Sequence, residues 1–238
     1  MAATNLADVR LPDNAVAEIH AASPVQWIDE HAVVVGHRWW TATLTKYGLQ
    51  DTILGDTISR ADIFALADPA VDDPAAALTL LWNALAWGSG TKRRNNKARI
   101  GSVAHDSPAA GVLLQQAAQI SRSDPLRAYD LLYPSNKTAL PHLGPAFFTK
   151  YLYFAGAGHP DHRCCILDEN VALALRDACG WSTLPTSAWP ATSYERYVQL
   201  LDRWIADYQL PRRDMIERWL FEHGKTLPRR RHVSSEVN

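Results

Sequence analysis

Cysteine is scarce in this chain. There are three, Cys164, Cys165 and Cys179, with the first two adjacent and no CxxC pair. So odd and sparse a count excludes a disulfide-framed scaffold and fits a reducing, cytoplasmic compartment. The first ten residues, MAATNLADVR, contain no apolar run and do not read as a secretory signal. No stretch of 18 apolar residues occurs, so no membrane span is expected. A surplus of positive charge is also missing: 24 Lys and Arg against 25 Asp and Glu leave a net charge of −1, which does not describe a generally basic nucleic-acid binder. No segment alternates convincingly as a strand, and no repeat of fixed period is visible.

What is present bounds the fold. With 238 residues, 47% of them hydrophobic, the chain can bury the core of one large domain or two closely packed lobes. Charged residues, at 21%, are too few for disorder by composition. Nine tryptophans are mostly packing, although the same ring stacks well on a planar ligand. Charge is unevenly placed. Residues 1–91 hold 11 acids and 4 bases, net −7, while 92–238 hold 14 acids and 20 bases, net +6. Such asymmetry marks one face or lobe for a polyanion, solvated charge being the bland alternative. The densest basic stretch, GSGTKRRNNKARIGS at 88–102, reads as a loop that offers Lys92, Arg93, Arg94, Lys97 and Arg99 to a DNA backbone.

Periodicity and capping signals predict eight to ten helices and an all-α fold. AVAEIHAA begins the series, and 25–48 reads as one bent helix despite the β-branched run at 33–35. Ser59 caps RADIFALAD. Asp73-Pro74 opens AAALTLLWNALAW, which is apolar nearly all round and therefore central. Helices follow at 108–120, after Asp124-Pro125, after Pro145 and after Asp168, the last ended by Gly180. Ser193 caps YERYVQLLDRWIADYQL, and RRDMIERWLFEHG closes the body before a polar tail.

The stretch at 140–175, LPHLGPAFFTKYLYFAGAGHPDHRCCILDENVALAL, carries the chemistry. Gly144 offers the positive φ of a tight turn, and Pro145 suits a first helical position. Such a turn aims unpaired N–H groups and a positive helix end outward, as an anion site needs. Lys150 lies beside Phe147 and Phe154 on a helical wheel, where aromatic neighbours strip an amine of water. Asp168 opens a helix and reads as a cap, a position that also favours an ionised carboxylate. His159, His162, Cys164 and Cys165 sit close together, but adjacent cysteines with no second ligand pair make an ordinary loop the better reading than a zinc site.

These residues resemble a known family. LPHLG is similar to the LPGVG hairpin of the helix-hairpin-helix DNA glycosylases. ILDENV resembles the segment that carries their catalytic aspartate, and the adenine-specific mismatch glycosylases have ILDGNV there. Lys150 precedes Asp168 by 18 residues, close to the lysine–aspartate spacing of bifunctional members such as endonuclease III and 8-oxoguanine glycosylase. GPAFFTKYLYFAG, with WGSG upstream and YERYVQLLDRW downstream, is most similar to bacterial proteins of 8-oxoguanine-glycosylase fold, some of which look like phage-defence enzymes. Two departures stand out. His142 replaces the first hairpin glycine, and Ala146 occupies the usual lysine position, with Lys150 one turn further on.

The resemblance implies two helical lobes with a cleft between them: an N-terminal helical extension at 1–55, a glycosylase body at 56–225 and a polar tail at 226–238. It implies excision of a damaged or modified base from double-stranded DNA by a bacterial, cytoplasmic monomer. The base would be 8-oxoguanine-like or a hypermodified phage base such as glucosylated hydroxymethylcytosine. Lys150 and Asp168 would be catalytic. His142, Leu143, Gly144 and Ala146 would bind the DNA backbone with the basic stretch, while Trp87 and Phe147 would line the base pocket. No cofactor or metal is expected beyond a monovalent cation at the hairpin. Two other classes compete: a non-catalytic hairpin DNA-binding module, and a zinc hydrolase built on 159–165.

Overall fold

The computed structural model describes residues 4–228, so all but three residues of the polar tail lie outside the described residues. The described chain is helical apart from one two-stranded antiparallel sheet. Helix α1 spans Asp13–Ala21. The stretch at 25–48 is not one bent helix. A wide turn at Val25–Asp29 leads into strand β1, Ala32–Val34, and only then into α2, His37–Lys46. The β-branched residues at 33–35 account for this, because they pack better on a pleated surface than on a helix. Strand β1 pairs with β2, Thr57–Ser59, with Val33 opposite Ile58.

Ser59 caps α3, Arg60–Phe64, through a reciprocal capping box with Asp62. The expected single helix here breaks at 65–66, and α4, Ala67–Asp72, follows. Helix α5, Pro74–Ser89, is the central one. The Asp73 carboxylate accepts from the Ala75 and Ala76 N–H groups, and Pro74 fills a position whose N–H would have no helical partner. From Leu80 to Trp87 every α5 residue is buried, and α4, α7 and α9 pack around it.

The basic stretch is a loop only in its first half. It turns at Asn95, with φ +62°, and continues as α6, Asn96–Ala104. Asn96, Arg99, Ile100 and Val103 are the buried residues of α6 and recur at one-face helical spacing. Next come α7, Ser107–Ser121, α8, Pro125–Leu132, α9, Pro145–Phe154, and α10, Glu169–Asp177. Helix α11 is Ala191–Tyr208, starting directly after Pro190 rather than at Ser193, and α12 is Arg213–Thr226.

Two helical groups result. Helices α4, α5, α7, α8 and α9 pack on one another, and α12 gathers α1, α10 and α11. The seam of α10 and α12 is close: a Cβ added at Gly224 would stand 2.0 Å from the Asn170 carbonyl oxygen. Among the described residues no helix is long and apolar enough to cross a membrane.

Candidate active site

The turn before α9 sets the site's outer edge. Leu143 N–H donates to the Leu140 carbonyl at 3.1 Å, and His142 has φ +66°. Proline second and positive φ third make a type II turn. The positive φ therefore falls on His142, not on Gly144, whose φ of −76° and ψ of 174° any residue adopts. Histidine pays a steric cost in that region that glycine avoids. Gly144 has another consequence: a Cβ there would meet nothing within 4 Å, so its bare backbone faces open space. Pro145 has no N–H, and Ala146 N–H donates to no group among the described residues. An accessible helix end with spare donors favours an anion. Leu143 is buried beneath the turn, and His142 is exposed.

Arg99 ties this edge to the interior. Its Nε donates to the His142 carbonyl at 3.1 Å and one Nη to the Asn96 side-chain oxygen at 2.6 Å. Its guanidinium lies 3.6 Å from the centre of the Phe147 ring. Burial pushes it down to about 10. Arg99 is thus a brace within the protein and not a free surface cation. Lys92, Arg93, Arg94 and Lys97 are exposed, with Arg93 over the Trp39 ring at 5.8 Å.

Lys150 and Asp168 meet. Lys150 Nζ donates to Asp168 Oδ2 at 3.0 Å and to the Ala146 carbonyl at 2.8 Å. The other carboxylate oxygen, Oδ1, accepts from the Asn170 and Val171 N–H groups at 3.1 and 3.2 Å, capping α10. The pair is held between two segments joined by Thr149. The Thr149 hydroxyl donates to the Pro145 carbonyl at 2.7 Å and accepts from Leu167 N–H at 3.2 Å. Each reactive residue is therefore next in sequence to an anchored one. Phe147 flanks Lys150, with its ring 5.8 Å from Nζ, whereas Phe154 is fully buried against Trp87 and Phe64.

Both groups line a cavity of about 530 Å³ between the two helical groups. Trp87, Phe147, Ile166 and Phe221 supply its apolar walls, and Lys92, Arg94 and Lys225 its basic ones. A second, deeper ion pair shares it. Arg60 donates to Glu217 at 2.9 Å and to the Tyr153 hydroxyl at 2.8 Å, and the Tyr153 hydroxyl donates to Asp214 at 2.9 Å. Arg212 then links Asp214 to Asp29. Burial raises the Glu217 carboxyl against the pull of Arg60. Burial also opposes charge on Arg60, but Glu217, Tyr153 and Asp214 outweigh it and keep the guanidinium charged. His31 sits on the same wall with its ring edge-on to Trp87. Burial and then the Arg60 charge lower it to about 3, so its ring is neutral, and its Nδ1 is buried without a partner among the described residues.

The structure therefore brings Trp87, Lys92, Arg94, Arg99, Phe147, Lys150 and Asp168 to one cavity, with the hairpin residues beside it. His31, Arg60, Gly88 and Glu217 were not foreseen from sequence. Their charges or small size have no local signature, and α12 is charged along its whole length. The 159–165 loop is occupied otherwise: His162 bonds the Leu152 carbonyl, and Cys164 and Cys165 are buried. No group of three or more His, Cys, Asp or Glu side chains among the described residues could hold a metal ion.

Residues 26–221 match the model of a family described as "Putative 8-oxoguanine DNA glycosylase OGG-like protein". No curated protein and no solved structure gives a significant match.

Proposed function

The chain belongs to the family of 8-oxoguanine DNA glycosylase OGG-like proteins, and from that premise we propose that it excises a modified base from double-stranded DNA with Lys150 and Asp168 as its catalytic pair. The observation that carries this reading is the 3.0 Å contact between Lys150 and Asp168 in the wall of a cavity beside a helix end suited to phosphate. The hairpin N–H groups and the exposed Lys92, Arg93, Arg94 and Lys97 grip the backbone, and the target nucleotide swings into the cavity at a cost of roughly a few kcal/mol.

Chemistry follows from the pair. After losing a proton, the Lys150 amine forms a bond to C1′ as the glycosidic C–N bond breaks, and the base leaves with the bonding electrons and takes up a proton. Asp168, kept ionised by the α10 N-terminus, stabilises the positive charge that develops on the sugar. The C1′ adduct opens to a Schiff base, from which strand cleavage proceeds by β-elimination. If Asp168 orients water instead, the product is an abasic site alone.

Cavity size supports a large substrate. About 530 Å³ lies within the range of about 300–1,000 Å³ that encloses whole drug-sized ligands, more than a bare purine fills. This favours a base enlarged by a substituent, such as glucosylated hydroxymethylcytosine of phage DNA, over 8-oxoguanine. Duplexes carrying either base test the reading, with borohydride trapping and measured base release. The expected result is release from the bulky substrate and a trapped adduct that Lys150→Gln abolishes. Release that survives Lys150→Gln but not Asp168→Asn establishes the water route. Binding without release from any modified DNA would leave a hairpin DNA-binding module and defeat the proposal.

A further inference from the structure

Gly88 lies in the last turn of α5, is exposed, and has a φ outside the left-handed region. Neither the backbone nor the core calls for glycine here, and alanine would make the better helix residue. One neighbour does call for it. A Cβ built at Gly88 would stand 2.7 Å from Lys150 Cδ and 3.0 Å from Cε. The lysine stem crosses α5 through the space a side chain would fill, and reaches Asp168 and the Ala146 carbonyl just beyond. The C-terminal end of α5 is the negative pole of that helix, which also suits an ammonium group passing close by.

We propose that Gly88 is a positioning residue for the reaction: the missing side chain at 88 is what allows Lys150 to extend to Asp168 and to the sugar carbon. This rests on the reading of Lys150 as the nucleophile. The crowded atoms belong to the far end of a flexible side chain, so a methyl at 88 displaces the lysine stem and leaves the helix intact. Lys150 then loses its 3.0 Å contact with Asp168. The amine remains in the protein but points away from the reacting atom.

Gly88→Ala makes the test, because its expected effects run in opposite directions. The variant should melt at or above the wild-type temperature. It should bind a duplex with a non-cleavable tetrahydrofuran abasic analogue as the wild type does. Borohydride trapping on a duplex with a true abasic site should fall roughly tenfold to a hundredfold, as a small misplacement of a reacting group does. In a Lys150→Gln background the same substitution should change neither melting nor binding further. An adduct yield equal to wild type overturns this inference alone. A lowered melting temperature, or loss of binding in parallel with the adduct, also overturns it by making Gly88 a packing or DNA-contact position. No adduct from the wild-type protein overturns the reading of Lys150 and this inference with it.

Discussion

Lys150–Asp168 and Arg60–Glu217 are ion pairs of nearly equal length, 3.0 and 2.9 Å, in the wall of one cavity, yet their surroundings differ. Lys150–Asp168 joins two helix ends. Each partner has backbone groups as its other contacts, namely the Ala146 carbonyl and the two N–H groups at the start of α10. Arg60–Glu217 sits deeper, at 1% and 2% side-chain exposure, and continues through Tyr153, Asp214 and Arg212 to Asp29. A pair backed by helix ends can give up one charge and keep its frame. A buried chain of charges cannot, because each member is the solvation of the next. The first arrangement suits a reacting group, and the second suits a fixed wall.

The largest expected effect comes from breaking the deeper pair. Glu217→Ala should cost about 3–5 kcal/mol in a denaturant titration, because it leaves Arg60 buried and uncompensated. Asp168→Ala should cost only about 1 kcal/mol, the price of a lost helix cap. Equal losses from the two substitutions would erase the distinction.

Acid should attack the deeper region next. His31 has an ordinary value of 6.5 and is held at about 3 in the folded state. Below 6.5 the unfolded chain takes up a proton there that the folded chain refuses, so stability falls as the pH drops toward the folded value. The loss approaches about 1.4 kcal/mol per pH unit, or roughly 2 kcal/mol at pH 5. His31→Asn should flatten that slope in unfolding measurements across pH 5–7. Buried His162, lowered to about 4 by burial, adds a parallel slope that His31→Asn leaves in place.

The smallest effect is at the hairpin. His142→Gly should stabilise the fold by about 1 kcal/mol, because it relieves a histidine held at φ +66°. A lower melting temperature would mean that the ring contributes contacts that outweigh the backbone cost.

Legibility from sequence followed the range of the interaction involved. Asp73-Pro74, Asp124-Pro125 and the Ser59–Asp62 box are caps completed within a few residues, and each starts a helix where expected. The pairing of β1 with β2 was missed, because Val33 meets Ile58 across 25 residues and no local pattern reports that. Arg99 was read as a surface base, because its place in a basic run said nothing of Ile100 and Val103 turning that helix face inward. At the hairpin, the tight turn was read correctly, but its positive φ was assigned to glycine by habit of residue type, whereas Pro141 places it on His142.

The sequence by itself determined the helical character, the tight turn before α9, and Lys150 and Asp168 as candidates, since these rest on caps, local spacing and family motifs. Only the tertiary structure decided that Lys150 crosses the bare turn at Gly88, that Arg99 braces the hairpin, and that Arg60 from α3 meets Glu217 from α12. The reason is physical. A cap is satisfied by the nearest few N–H groups, whereas a buried charge must find its partner wherever the folded chain brings one, here 157 residues away.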